Sequence, residues 1–429
     1  MVVAGREQMV NEVTTEAAGT RGEADELRGA MVDDIVAMRG PRLQLGLELP
    51  DAVVAAMRAV PRHLFTPDVT LVEAYESRSV ITKTNAQGVN VSAVSAPWLV
   101  AWMLAQLDVR PGQSVLEIGS GGYNAALLRE IVGPDGSVTS VDIDPSIIGR
   151  ARAYLDRAGY GDVRTLCADG ESGAPGGPFD RIIVTFGAWD IPPAWSGQLA
   201  ADGRLVVPLR LRGLTRSWVL ERENGHLASR GKPQGCEFVP AQGAAEHDAW
   251  SVEVDKGNVL LQADEPPDVD GEALAGVLTT NRAEAWSGVT AVRDELILSQ
   301  DLSLITSANF CWLTSSQDAV DRGLVRPLGQ LYAPALASDG SLAYRATVRA
   351  VDDEHALFEF GAHGHGPQGA ELAQRLAEQI RVWDRDHRHG PGPVLTVHPA
   401  DTPSGDLPDG SVINKSHTTV VLSYPKEVR

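Results

Sequence analysis

The chain has 429 residues, too long for one ordinary domain, and 43% hydrophobic content, enough for substantial cores. Its 57 acids against 37 Lys and Arg leave a formal charge of -20, which argues against RNA or DNA, because binding nucleic acid relies on neutralising phosphates. No apolar run approaches a membrane span, and no signal-peptide core is seen. Cys167, Cys236 and Cys311 are too scattered for a disulfide framework or a CxxC metal site. A cytoplasmic protein with neither membrane nor nucleic acid as partner is expected.

Residues 1–24 are polar and patternless and read as a flexible tail. Residues 25–97 form an N-terminal helical and loop segment. Helical spacing appears around Met31, Ile35 and Met38 and around Val53, Met57 and Val60, and loops and short extended pieces are expected over 62–97. Residues 98–248 alternate helix and strand: helix Leu99–Leu107, strand Ser114–Ile118, helix Ala125–Val132, strand Ser137–Asp142, a helix near Ile147–Ala158, strand Val163–Cys167, then FDRIIVTFGA (179–188) and GRLVVPLRL (203–211). That order predicts an α/β fold, a Rossmann-like parallel sheet covered on both faces, with ligands at the carboxyl ends of its strands. Beyond about residue 250 the character changes. NVLLQ (258–262), ELILS (295–299), SLAYRATVRAV (341–351), HALFEFGAHG (355–364) and TTVVLSYP (418–425) read as strands. Among them lies one amphipathic helix with Leu372, Leu376, Ile380 and Trp383 on one stripe. Residues 249–429 are therefore expected to form a C-terminal α+β module.

The chemistry concentrates in VLEIGSGGYNAALLREIV (115–132) and SVDIDP (140–145). An apolar strand enters a glycine turn, the turn opens a helix, and a second strand ends on Asp142, which can accept hydrogen bonds from a ribose diol. The turn reads E-x-G-x-G-G and lacks the G-x-G-x-x-G spacing that cradles a pyrophosphate. Glu117 would repel phosphates, whereas it can accept hydrogen bonds near an amine and a sulfonium. S-adenosyl-L-methionine is thus favoured over a dinucleotide.

PRHLFTP (61–67), AYESRSV (74–80), VSAP (94–97), VLEIGSG, ADG (168–170), FDRIIVT (179–185) and GRLVVP (203–208) occur in this order. Together, over roughly 45–245, they resemble the protein-L-isoaspartate O-methyltransferase family. The resemblance implies a class I S-adenosylmethionine-dependent methyltransferase that esterifies a peptide side-chain carboxylate. It implies a cofactor-binding set of Val94, Ser95, Glu117, Gly119, Ser120, Gly121, Asp142, Ile143, Asp169, Gly170 and Thr185, with Asp142 on the ribose and Asp169 and Gly170 framing the adenine. Ser95 matches the family's active-site serine and is the candidate catalytic residue. Two departures stand out. The glycine loop is one residue shorter than usual, and the family's repair enzymes lack anything like the module after residue 250. The whole chain, with FGAHGHGP (360–367) and VWDRDHRHGP (382–391), looks more like larger actinobacterial relatives associated with lanthipeptide biosynthesis. Those methylate an aspartate of a ribosomally made precursor peptide, and the ester closes to a succinimide that opens to isoaspartate. The expected partner is then a precursor peptide, already modified or cyclised.

An aspartate carboxylate is already ionised near neutrality and needs no strong base, so a serine that orients it suffices. Other readings stay open. Ser95 could instead cap the helix that begins just after it, with Pro97 in its first turn, and Asp169 could be a plain turn residue. His363, His365, His387 and His389 suggest metal, but no cysteine or acid cluster accompanies them, and hydrogen bonds to backbone in Gly-rich turns are the plainer reading; no metal is expected. Pro192, Pro193 and Trp195 suit either a peptide contact or a helix start, and Trp286, Trp312 and Trp383 suit core. Isoaspartyl repair, methylation of a small-molecule acid and a non-catalytic peptide-binding protein with a degenerate cofactor site are the alternative functions.

Overall fold

The computed structural model describes residues 22–38, 48–292, 295, 297–329, 331–352, 354 and 356–425. The expected tail up to residue 21 and the stretch 39–47 lie outside them. Two compact units divide the chain: one of residues 1–208, 217–222 and 236–245, the other of 209–216, 223–235 and 246–429. The second unit thus takes two segments from the stretch that chain order alone assigns to the core.

In the first unit, helix α1 (22–37) is followed by α2 (Asp51–Ala59), α3 (Leu71–Tyr75) and the hairpin β1 (Val80–Thr84) and β2 (Asn90–Val94). Then come α4 (Pro97–Leu107), β3 (Ser114–Ile118), α5 (Tyr123–Val132), β4 (Ser137–Asp142), α6 (Pro145–Ala158) and β5 (Arg164–Cys167). The series closes with β6 (Phe179–Val184), α7 (Pro193–Gln198), β7 (Leu199–Leu211) and β8 (Leu214–Glu223). Strands β5, β4, β3, β6 and β7 lie side by side and parallel, with β8 beside β7. Val115, Leu116, Ile118, Ile182, Ile183 and Val184 are all buried, as a strand covered on both faces requires. Helix α4 is apolar all round, and Leu99 to Leu107 are all buried, the pattern of a helix inside a core.

Three sequence expectations change here. Among the described residues helix α1 already includes Gly22 to Ala24, and Ala24 is buried against the α2 core rather than lying in a tail. The 62–97 region also holds helical turns at Arg62–Phe65 and α3, the latter closed by a Thr70/Glu73 capping box. Helix α5 starts at Tyr123, two residues before the expected Ala125, and Gly122, with φ +86°, is its N-cap.

The second unit holds β9 (His226–Ser229), the short β10 (Gln234–Gly235), β11 (Trp250–Asp255), β12 (Val259–Ala263), β13 (Ala283–Val292), α8 (Leu298–Leu304), β14 (Phe310–Ser315) and α9 (Gln317–Asp321). It continues through β15 (Tyr332–Ser338), β16 (Ser341–Arg345), β17 (Arg349–Ala350), β18 (Leu357–His365), α10 (Gly369–Val382), β19 (Val394–Pro399), β20 (Ser411–Asn414) and β21 (Thr418–Ser423). Strands β11-β12-β14-β15-β16-β18-β13 form an antiparallel sheet, with β17 paired to β18, and β20-β21-β19-β9 pair antiparallel as well. Helix α10 buries Leu372, Leu376 and Ile380, with Trp383 just beyond its end, as their spacing predicts. Trp312 and Trp383 are core, whereas Trp286 is half-buried under the Arg349 guanidinium, 4.2 Å from its ring centre. The ELILS segment is not a strand: Leu298 and Ser299 open α8, which buries Leu302 four residues on, an ambiguity inherent in short apolar runs. His363 and His365 sit in β18, not in a turn, and His363 Nδ1 meets Tyr344 Oη at 3.3 Å rather than backbone.

Strand β13 ends its sheet, and α10 guards it. Arg381 donates to the carbonyls of Trp286 (3.3 Å) and Ser287 (2.9 Å), and Arg388 donates to that of Thr290 (2.9 Å). Among the described residues no helix is long and apolar enough to cross a membrane. Leu376→Ala should destabilise the second unit by about 2–5 kcal/mol, the range for emptying a fully buried leucine site. Urea unfolding of the wild type and the variant, followed by circular dichroism, checks this.

Candidate active site

Two adjoining recesses open at the carboxyl ends of β3, β4 and β6. One, of about 450 Å³, is lined by Val94, Ser95, Glu117, Gly119, Gly121, Tyr123, Asn124, Thr185 and Phe238 among others. The second, of about 640 Å³, is lined by Gly119, Ser120, Gly121, Asp142, Ile143, Asp169, Gly170, Thr185 and Gln242 among others. Every residue of the expected cofactor-binding set therefore borders this one cleft.

The cleft is shaped by backbone that admits no side chain. Gly119 has φ +94°, and a Cβ there would lie 2.6 Å from Thr185 Oγ1. The Thr185 hydroxyl donates to Gly119 O at 2.7 Å. A Cβ on Gly170 would lie 2.4 Å from Ile118 Cγ2, and Gly170 O accepts from Trp195 Nε1 at 2.8 Å. Trp195 is thus a buried strut, and Pro192 and Pro193 are the N-cap and first residue of α7, so the helix-start reading holds there.

Asp142, at the tip of β4, accepts from Ser120 N and Asp144 N, both at 2.9 Å. Burial pushes its carboxyl above the usual range. Asp169 caps the Gly170–Ser172 turn through Glu171 N (2.9 Å), and its second oxygen accepts from Ala244 N (3.1 Å). It is a turn residue and a cleft residue at once. Ser95 does not cap α4: Ala96 holds the N-cap position with no side-chain hydrogen bond, so the hydroxyl of Ser95 is not committed to that helix.

Glu117 is almost completely buried, and no cation among the described residues contacts it. Asn124 Nδ2 donates to Oε1 at 2.9 Å, and Ser140 Oγ donates to Oε2. Burial raises its carboxyl to about 7 against these two donors, with the Asp142 charge adding to the rise. Asn124, Ser140 and Gln242, which donates to Val91 O at 3.2 Å, escaped sequence reasoning. Only the position of Asn124 in the first turn after the glycine loop hinted at a role. Lys83 of β1 pairs with Asp144 and reaches Ser146 Oγ at 3.0 Å, which ties the hairpin bearing Val94 to the start of α6. No group of three or more His, Cys, Asp or Glu suited to a metal occurs among the described residues.

A five-stranded parallel sheet with this glycine turn after one strand and an acid at the tip of the next is the frame of a class I methyltransferase. The profile of protein-L-isoaspartate(D-aspartate) O-methyltransferases matches residues 42–246. The chain is 40% identical over 203 residues to the protein-L-isoaspartate O-methyltransferase of Methanopyrus kandleri, covering 46% of this chain and 87% of that one. It is 37% identical over 206 residues to protein-L-isoaspartate O-methyltransferase 2 of Archaeoglobus fulgidus, covering 47% and 90%. Among solved structures, a protein-L-isoaspartate O-methyltransferase aligns at TM-score 0.47 and 20% identity over 86% of this chain and 96% of its own. One from Plasmodium falciparum, in complex with S-adenosyl-L-homocysteine, aligns at 0.42 and 17% over 50% and 97%. This chain belongs to the protein-L-isoaspartate O-methyltransferase family and is a protein carboxyl O-methyltransferase.

Because the folded chain holds the Glu117 proton up to about pH 7, and the unfolded chain only to about 4.5, the stability this group contributes is full below 4.5 and lost as pH rises through 7. Glu117→Gln should therefore gain stability over the wild type between pH 5 and pH 8, by on the order of 3 kcal/mol at about 1.4 kcal/mol per pKa unit. Melting curves of both ligand-free proteins across that range check the sign.

Proposed function

We propose that this enzyme methylates the side-chain carboxylate of an aspartate in a ribosomally synthesised, lanthipeptide-type precursor peptide, already modified or cyclised. The ester would close through a succinimide toward isoaspartate. The observation that carries the methyl-transfer reading is the single cleft where the uncommitted hydroxyl of Ser95 and the buried acid Glu117 line one recess and Asp142 the next. The cofactor is S-adenosyl-L-methionine, which supplies a methyl carbon whose bond to sulfur breaks, the sulfur keeping the electron pair, as a carboxylate oxygen bonds to it.

The residues fit that group. Glu117 is a buried carboxylate without a cation, Asp142 keeps acceptor capacity beside its two backbone donors, and the Gly119 cradle would be filled by any Cβ. Ser95 orients the incoming carboxylate without taking a proton. Asp169 and Gly170 frame the base.

The choice of peptide rests on the second unit. Residues beyond 246 lie outside the family match, and aspartate is abundant in every cell, so discrimination must come from contacts away from the reacting group. Residues 249–429 supply surface for them. The whole-chain resemblance to the lanthipeptide-associated enzymes points the same way. We place the reaction in the cytoplasm, in keeping with three free cysteines. The names of the archaeal relatives favour the second reading, isoaspartyl repair. The two readings separate in one experiment with the full chain, which is offered an isoaspartyl peptide and a cyclised, thioether-bridged peptide containing aspartate. Mass spectrometry should show methylation of the bridged peptide alone, and methylation confined to the isoaspartyl peptide would establish repair instead. Cutting the chain near residue 248 is a poorer test, since Arg212 donates to Ile305 O and Ser307 O and would lose both partners.

Asp142→Ala should weaken binding of S-adenosyl-L-methionine about tenfold or more in calorimetry, the loss of ~1.4 kcal/mol from hydrogen bonds to a charged group. Ser95→Ala should bind the cofactor normally while methyl transfer falls by roughly one to three orders of magnitude, the scale of losing one orienting hydrogen bond at the reacting group. Unchanged turnover in the mass-spectrometric assay would remove Ser95 from the chemistry.

A further inference from the structure

Glu117 is an acid that the fold buries and, among the described residues, leaves without a positive partner. Its side chain ends in a recess lined also by Ser95 and Asn124. The cost of stripping water from a carboxylate is large unless charge or hydrogen bonds replace it. Here two neutral donors do so, one on each oxygen: the Asn124 amide, in the first turn of α5, and the Ser140 hydroxyl, from the neighbouring strand β4. Ser140 is fully buried and Asn124 half-buried. Neither side chain occupies a position that the fold alone requires. Alanine would suit the α5 turn better by helix propensity, and an apolar residue would suit the interior of β4, where Val138 and Val141 are buried.

We infer that Asn124 and Ser140 are positioning residues that hold Glu117 as an oriented carboxylate, ready for the ammonium group of the cofactor's methionine moiety. The inference rests on the reading of the cleft as a cofactor site and adds which groups prepare the acid. Each donor stabilises the charged form of Glu117, against the burial and the Asp142 carboxylate that oppose it. When the ammonium arrives, it favours the ionised form of an acid that is already desolvated and aligned, so little reorganisation is left to the binding step.

The test compares two nucleosides that differ at one end. S-adenosyl-L-homocysteine carries the ammonium, and 5′-methylthioadenosine lacks the whole amino-acid moiety while keeping adenine, ribose and thioether. Calorimetry of the full-length wild type, Asn124→Ala and Ser140→Ala is run with both from about pH 6 to 9. Each variant should bind S-adenosyl-L-homocysteine about tenfold more weakly near neutrality, the loss of one hydrogen bond to a charged group. Binding of 5′-methylthioadenosine should change less than about twofold. The pH at which S-adenosyl-L-homocysteine affinity falls off should also move upward in both variants, because each has lost a donor that favoured the ionised acid. Asn124→Gln, which keeps the amide, should recover part of the loss. Equal weakening of both nucleosides, or an unmoved pH profile, would overturn the inference and leave the two residues as packing. A wild-type protein that binds neither nucleoside would instead overturn the cofactor-site reading itself, and this inference with it.

Discussion

The contact between Thr185 and Gly119 governs the geometry of everything near the reaction. Parallel strands β3 and β6 end side by side, and the backbone leaving each of them must turn away without a collision. The missing side chain at Gly119 lets the Thr185 hydroxyl reach its carbonyl, and Thr185 N in turn binds Ile118 O at 2.9 Å. With that end fixed, Ser120 N points at Asp142, and α5 can begin at Tyr123 despite the shortened loop. A methyl group at residue 119 would push on a side chain whose hydroxyl is already spoken for, so the disturbance would pass directly to Asp142.

The cleft that results is unusual in its electrostatics. Glu117 and Asp142 both lose solvent, both rise above the ordinary carboxylate range, and both accept mainly from neutral donors. Two acids in adjoining recesses repel each other, and their mutual cost falls when a cation enters. The site is thereby more comfortable with a positively charged ligand than without one. That suits a sulfonium cofactor better than any phosphate-bearing nucleotide.

Much of the fold was readable in the chain. Strands β3 and β4 have the bounds that apolar runs between turn residues imply, and α10 buries the stripe its spacing predicts. Gly119 and Gly122 were legible because a positive φ and close neighbours leave few other residues possible there. What escaped was partnership. Nothing in the spacing says that Asn124 reaches back to Glu117, or that Asp169 reaches forward to Ala244, because such contacts join segments whose separation in sequence carries no period. Ser95 shows the opposite case: local rules allowed a helix cap, and only the folded backbone, which put Ala96 in that position, removed the option. ELILS failed for the reason short apolar runs often fail, since burial on one side looks alike in a strand and in the first turn of a helix.

The arginines along β13 bear on how the second unit could hold a peptide. Terminal strands invite an extended chain to pair with them, and proteins that do not want that company block the free polar groups. Arg381 and Arg388 already occupy the carbonyls of Trp286, Ser287 and Thr290. An incoming backbone therefore finds that strand closed. A partner that met this edge would find guanidinium groups where free carbonyls would otherwise be, so contact there would run through side chains.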